Sequence, residues 1–233
     1  MLTSRHILAE TRALAARFST PPTAVRMGQL NRLIRDLQLA GLYTNTKIKG
    51  LYLLAAADAQ AARQNIIENA VNLSVSGSPT FTADRGYTGG ASDGLTVSAS
   101  ADATNHSAGF WINNYNADSG YINTGGTNGY LRASSTQMAA KWSAVGEVTE
   151  NTTGAHSVMA TVDAGVNLRF YKNGALVSTE SAGGGSISLG TIVIATGYSG
   201  RHAAAHWGPN LTTGELAALY AALNTYLTSV GGN

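Results

Sequence analysis

Cysteine is absent from this chain of 233 residues, which excludes disulfide bonds and thiolate catalysis. Charge is scarce too, at 12% of residues, about half the usual share for a globular protein. The net charge of +2 is too small to point to nucleic acid or a membrane surface. No apolar run reaches the roughly 18 residues of a membrane span, and none is expected to cross a bilayer. Residues 1–18 lack the apolar centre of a secretory signal and read as an amphipathic helix. What is plentiful is glycine, 27 residues of it, among many Ala, Ser, Thr and Asn. Hydrophobic residues make up 44% and recur throughout, so the composition is not that of a disordered chain. A chain of this length buries a real core without metals or cross-links.

Three zones follow one another. The first, to about residue 70, is predicted helical and carries Arg5, Arg12, Arg17, Arg26, Arg32, Arg35, Lys47, Lys49 and Arg63. These cations read as solvated helix faces. Ile7, Leu8, Leu14 and Phe18 line one helix, and Pro21-Pro22 stop it. Thr23 is placed to cap a second helix, with Leu30, Leu33, Ile34 and Leu37 at helical spacing and Gly41 as terminator. A third helix is expected over Ile48–Ala56, and Asp58 caps a further short one through Arg63.

The second zone, about Asn72–Trp207, is punctuated by Gly, Asn and Asp at the spacing of a β-sandwich. Its clearest hairpin turns at Asn173-Gly174, since Asn-Gly supplies the positive φ angles of a tight two-residue turn. In the third zone, Thr212 and Glu215 form a capping box ahead of a helix over residues 213–228. The expected organisation is therefore a helical segment, 1–70, for anchoring or oligomerisation, and a β-rich unit, 71–233, ending in a helix.

Three stretches carry a resemblance: Leu51 to Arg63, Ser78 to Gly89, and Ala204-Ala205-His206 with Leu211-Thr212 and Glu215 to Tyr220. Together they resemble a group of tailed-bacteriophage and prophage virion proteins with a concanavalin A/laminin-G-like domain. The likeness runs from about Pro21 to the C-terminus. It implies a mainly β fold, an antiparallel jelly-roll sandwich, with helices at both ends. It also implies a virion location in a decoration, fibre or tail part. Other virion proteins, further copies of the chain and a host-surface glycan are the partners it implies. The chain departs from the group at Ala91-Ser92-Asp93-Gly94, where an aromatic commonly follows.

Glycan contact needs aromatic faces for sugar C–H groups, beside amides and carboxylates for hydroxyls. Trp111, Asn113, Asn114, Tyr115, Tyr121 and Tyr130 form the richest such stretch. The competing reading places Phe110, Trp111 and Ile112 in the sandwich core. A polysaccharide-degrading enzyme requires two neighbouring carboxylates. Glu147 and Glu150, at odd spacing, point to opposite faces of a strand, so no catalytic residue is assigned. His202 and His206 lack the rest of a zinc motif and read as strand residues. Calcium has candidate oxygens at Asp84, Asp93, Asp102, Asn113, Asn114, Asn116 and Asp118, but at no dedicated spacing. No metal or cofactor is expected. The expectation is a non-enzymatic, lectin-like virion protein. The alternatives are a pure assembly subunit and a polysaccharide-degrading tail enzyme.

Overall fold

The computed structural model describes residues 7–90, 93–98, 105–114, 120–123, 129–141, 147–151, 153, 155–163, 166–181, 191–194 and 200–232. Two antiparallel sheets pack face to face as a jelly-roll β-sandwich, and helices cover one outer side.

The first sheet contains β1 (Gly50–Tyr52), β3 (Thr80–Thr82), β4 (Gly86–Thr88), β6 (His106–Asn114), β11 (Ser157–Asp163), β12 (Asn167–Lys172), β13 (Ala175–Ser181) and β15 (Arg201–Pro209). Its order is β13-β12-β11-β6-β15-β4-β3, with β1 also paired to β15. The second sheet contains β2 (Ser74–Ser76), β5 (Gly94–Ser98), β7 (Gly120–Asn123), β8 (Tyr130–Ala133), β9 (Gln137–Lys141), β10 (Val148–Asn151) and β14 (Thr191–Ile194). Its order is β10-β9-β8-β7-β14-β5-β2.

Alternation along the strands builds two apolar layers from one sheet. On β6, Ala108, Phe110 and Ile112 face the second sheet, where they meet Ile122, Leu131, Met138, Ile192 and Leu95. Trp111 faces the other way, with Met159, Tyr171, Ala203 and Ala204. That side is covered by α1 (Ala9–Ala15), α2 (Ala24–Leu39) and α3 (Thr213–Val230), which contribute Leu14, Leu30, Leu33, Ile34, Leu37, Leu216, Leu219 and Leu223. α1 and α2 thus share one buried cluster on the sheet with the C-terminal helix.

The helix ends follow their local chemistry. Thr23 Oγ1 accepts from the Arg26 amide at 3.2 Å, so α2 begins there. Gly41, with φ of +69°, follows its end. Asn31 ties α1 to α2, its Oδ1 accepting from the Leu8 amide at 2.7 Å and the Thr11 hydroxyl at 3.1 Å. The capping box at Thr212 and Glu215 is present, and α3 ends at Gly231 in the left-handed region. Asp58 caps, as expected, but only a single 3-10 turn, Ala61–Arg63.

One expected element is corrected. The helix over Ile48–Ala56 is instead β1, paired with β15 through Gly50–Trp207, Leu51–His206 and Tyr52–Ala205. Leu51 enters the helix-side cluster and Tyr52 the inter-sheet core. Buried on both faces, the segment has no polar alternation to mark it as a strand. Fully buried Asn65 secures it, accepting from the Leu51 amide at 3.2 Å and donating to the Lys49 carbonyl at 2.8 Å.

Gly86 opens β4 at φ of +111°, and a Cβ there would lie 1.8 Å from the His202 carbonyl oxygen. Gly86→Ala is therefore expected to lose on the order of 4 kcal/mol of stability, combining backbone strain with a clash against β15. Urea denaturation of the variant beside the parent chain measures it.

Candidate functional site

The outer face of the seven-stranded sheet follows from what its inner face buries. Ile122, Leu131, Ala133, Met138, Ala140, Ile192 and Ile194 all enter the inter-sheet core. The residues between them on β7, β8, β9 and β14 therefore stand on the opposite face. Tyr130 and Arg132 are two apart on β8 and share it. In register, Tyr130 lies across from Lys141 on one side and Asn123 on the other, and Arg132 across from Ala139 and Tyr121.

Glu147, just ahead of β10, closes a cluster with these residues. The Tyr130 hydroxyl donates to its carboxylate, and Arg132 pairs with it at 2.5 Å. The Arg132 guanidinium also lies 6.0 Å from the centre of the Tyr130 ring. Partial burial pushes the Glu147 carboxyl up. The hydrogen bonds from Tyr130 and Arg132, with the charges of Arg132 and Lys141, outweigh it, and the pKa is lowered. The carboxylate is thus held ionised beside a fixed phenol ring, with a guanidinium across it. Such a cluster accepts hydroxyl hydrogen bonds, donates others, and presents part of an aromatic face.

The residues singled out from sequence fall in different places. Trp111 is 1% exposed. It stacks on Tyr220 of α3, centroids 6.4 Å apart and planes at 14°, and has the His206 ring at its edge. Its ring offers no open face, so it is a core residue of the helix side and not a sugar platform. Asn113 donates to the Arg85 carbonyl at 2.6 Å, and Asn114 is exposed at the end of β6. Tyr121 lies on β7 opposite Arg132, while Tyr115 lies outside the described residues. Tyr130 is tied into the cluster with Arg132 and Glu147.

Arg132 drew no attention in the sequence. The available signal was the Tyr-x-Arg spacing within a strand, which puts both side chains on one face. Glu147 and Glu150 do part as alternation requires. Glu150 lies opposite inward-facing Met138, while Glu147 joins the outer cluster.

The histidine pair is separated by a bulge. Register shifts on either side of His202 place it by Phe110 in the inter-sheet core, whereas His206 meets Trp111 on the helix side. They share no metal site. Of the proposed calcium oxygens, Asp84 pairs with Arg26, and Asp93 accepts from the Ser78 amide at 3.0 Å. Asp102, Asn116 and Asp118 lie outside the described residues. Among the described residues, no three His, Asp or Glu side chains cluster as metal ligands.

A concavity of about 280 Å³ lies beside residues 18–23. Phe18, Pro21, Pro22 and Leu53 give it largely apolar walls, and Asp58 and Asp84 reach it. Both acids already have local roles. Asp58 Oδ1 accepts from the Gln60 and Ala61 amides, and Asp84 is paired with Arg26.

The jelly-roll sandwich, with helices over one outer side, is shared at the level of fold by solved structures. Domain 4 of AbnA, an extracellular arabinanase of Geobacillus stearothermophilus solved with arabinotriose, aligns over 74% of this chain and 97% of its own, with TM-score 0.53 and 11% identity. The ligand binding domain of botulinum neurotoxin serotype D, solved with N-acetylneuraminic acid, aligns over 78% of this chain with TM-score 0.55 and 15% identity. The serotype G binding domain aligns over 75% with TM-score 0.53 and 13% identity. This chain spans about half the length of those two toxin chains, 52% and 50%. No family model matches the sequence, and no curated protein does.

Proposed function

We propose that this chain is a non-catalytic binding module that holds a carbohydrate on the outer face of its seven-stranded sheet, as part of a bacteriophage virion. The Tyr130–Arg132–Glu147 cluster carries the reading: an aromatic ring, a donor fork and an ionised acceptor fixed together on an open strand face. The ring covers sugar C–H groups, and the charged pair bonds the hydroxyls. Tyr121, in register with Arg132 on β7, remains a candidate. Asn113, Asn114 and Tyr115 remain candidates for a second contact beyond β6. The arabinanase domain, solved with a bound trisaccharide and matched over nearly its whole length, supports the carbohydrate class. The virion location is supported by the resemblance at Leu51–Arg63, Ser78–Gly89 and residues 204–220. A weak single site would gain strength there from many copies.

A glycan array that includes arabino-oligosaccharides, followed by calorimetry on the best ligand, tests the proposal. Tyr130→Ala and Arg132→Ala are each expected to weaken binding by about tenfold or more, equivalent to roughly 1.4 kcal/mol. Both positions are surface-facing, so stability should hold. No binding anywhere on the array would refute the carbohydrate reading and leave an assembly subunit. Release of new reducing ends from a polysaccharide would refute the non-catalytic one and direct attention to Asp58 and Asp84.

A further inference from the structure

Charge on the open sheet face narrows the class of sugar, an inference that rests on the carbohydrate reading of the Tyr130–Arg132–Glu147 cluster. Met138 and Ala140 enter the inter-sheet core, so Lys141, next on β9, stands on the outer face. It lies across from Tyr130, one strand spacing or about 4.8 Å away. On the other side of Tyr130 come Asn123, Val193 and Thr96 in register, all uncharged. The strands of this sheet carry three charged residues, Arg132, Lys141 and Glu150. Glu150 lies across from inward-facing Met138 and is not on this face. With Glu147 counted, the outer face holds two cations and one anion. Glu147 is engaged by hydrogen bonds from Tyr130 and Arg132. Lys141 acts on that carboxylate through charge and belongs to none of the ion pairs among the described residues.

We infer that the sugar bound here is acidic, a hexuronic acid or a related carboxylated sugar with one negative charge per ring. The single positive charge left over on the face matches a singly charged ring. A pyranose laid on the Tyr130 ring directs its hydroxyls to the Arg132–Glu147 pair. Its carboxylate, at the rim on the β9 side, then comes within reach of the Lys141 ammonium, a point charge on a flexible four-carbon stem. The opposite rim faces Asn123, which adds no charge. An amino sugar in the same place meets the excess positive charge and is disfavoured. Complementarity of this kind selects among sugars more than it adds to affinity.

Methyl esterification of the ligand tests this, because it removes the charge and keeps the ring. Calorimetry on the parent chain compares oligomers of galacturonic, glucuronic and mannuronic acid with their methyl esters, with neutral oligosaccharides and with glucosamine oligomers. The measurement is made at about pH 6, where carboxylates are ionised. At least one acid is expected to bind about three- to fivefold more tightly than its ester, the upper range for an exposed ion pair. The preference should shrink as salt is raised from about 0.05 to 0.5 M. Lys141→Gln should bring the acid-to-ester ratio close to one, and Lys141→Arg should keep it. The glucosamine oligomers should bind most weakly. Esters that bind as tightly as their acids, an amino sugar bound best, or an acid preference that survives Lys141→Gln would overturn the inference and leave the carbohydrate reading standing. So would a neutral sugar that binds where no acid does. No binding by any sugar would remove both.

Discussion

Lowering the pH from neutral to about 5 is expected to cost this fold roughly 2 kcal/mol for each of two histidines, His202 and His206. Both are fully buried. Burial alone lowers the His206 pKa from 6.5 to about 3, and neither ring nitrogen has a hydrogen-bond partner. Burial lowers the His202 pKa to about 4, opposed in part by backbone hydrogen bonds involving Gly200 and Tyr87. The neutral imidazoles belong to the folded state, and the unfolded chain takes up protons at an ordinary 6.5. Between about 6.5 and the depressed values the unfolded state binds more protons, so stability falls as pH falls. Glu147 and Glu215 have lowered pKa values and act in the same direction, but only below the ordinary carboxylate value of 4.5. Burial also lowers the His156 pKa, which acts in the same direction, so denaturant titrations at pH 7.5 and pH 5 report on the histidines together. His206→Leu should remove its own share, about 2 kcal/mol of the difference. An unchanged midpoint across that interval would mean that the His206 side of the sheet is open to water.

Trp111→Ala is expected to destabilise the chain by about 3–5 kcal/mol, the range for removing a large buried aromatic side chain. The indole fills the layer between the first sheet and α3, against Tyr220, His206 and Met159. Tyr220 in turn bonds His156 at 2.8 Å and packs over Gly174 of the hairpin, so the loss spreads along that side. Thermal and urea unfolding measure the effect. Carbohydrate affinity of the fraction that remains folded should not change. The opposite outcome, unaltered stability with lost binding, would make Trp111 a surface platform after all.

Much of the sandwich was legible because its turns are chemically marked. Asn173 and Gly174 take φ of +51° and +78°, and the strands on either side are β12 and β13. The helices were marked by Thr23, Thr212 and Glu215, whose caps form as expected. β1 was misread because a strand buried on both faces has the same apolar run as a buried helix. The short strands β2 and β4 carry no such mark: three residues give too little alternation to see, and their pairing with β5 and β15 defines them. The candidate site was half legible. Tyr130 stood out as an aromatic near a turn, and Trp111 stood out equally although it is buried. Nothing in the sequence tells which face of β6 meets the helices. Glu147 reaches Arg132 only because β10 pairs β9 and β9 pairs β8, a relation of strands that spacing does not encode.

The most direct measurement is an NMR titration of the amide-labelled chain with the oligosaccharide that binds best on the array. Shifts confined to β7, β8, β9 and residues 147–151 are predicted, with the amides of α1, α2 and α3 unmoved. Perturbations centred on Asp58, Asp84 and residues 18–23, or none at saturating sugar, would contradict a carbohydrate site on the open sheet.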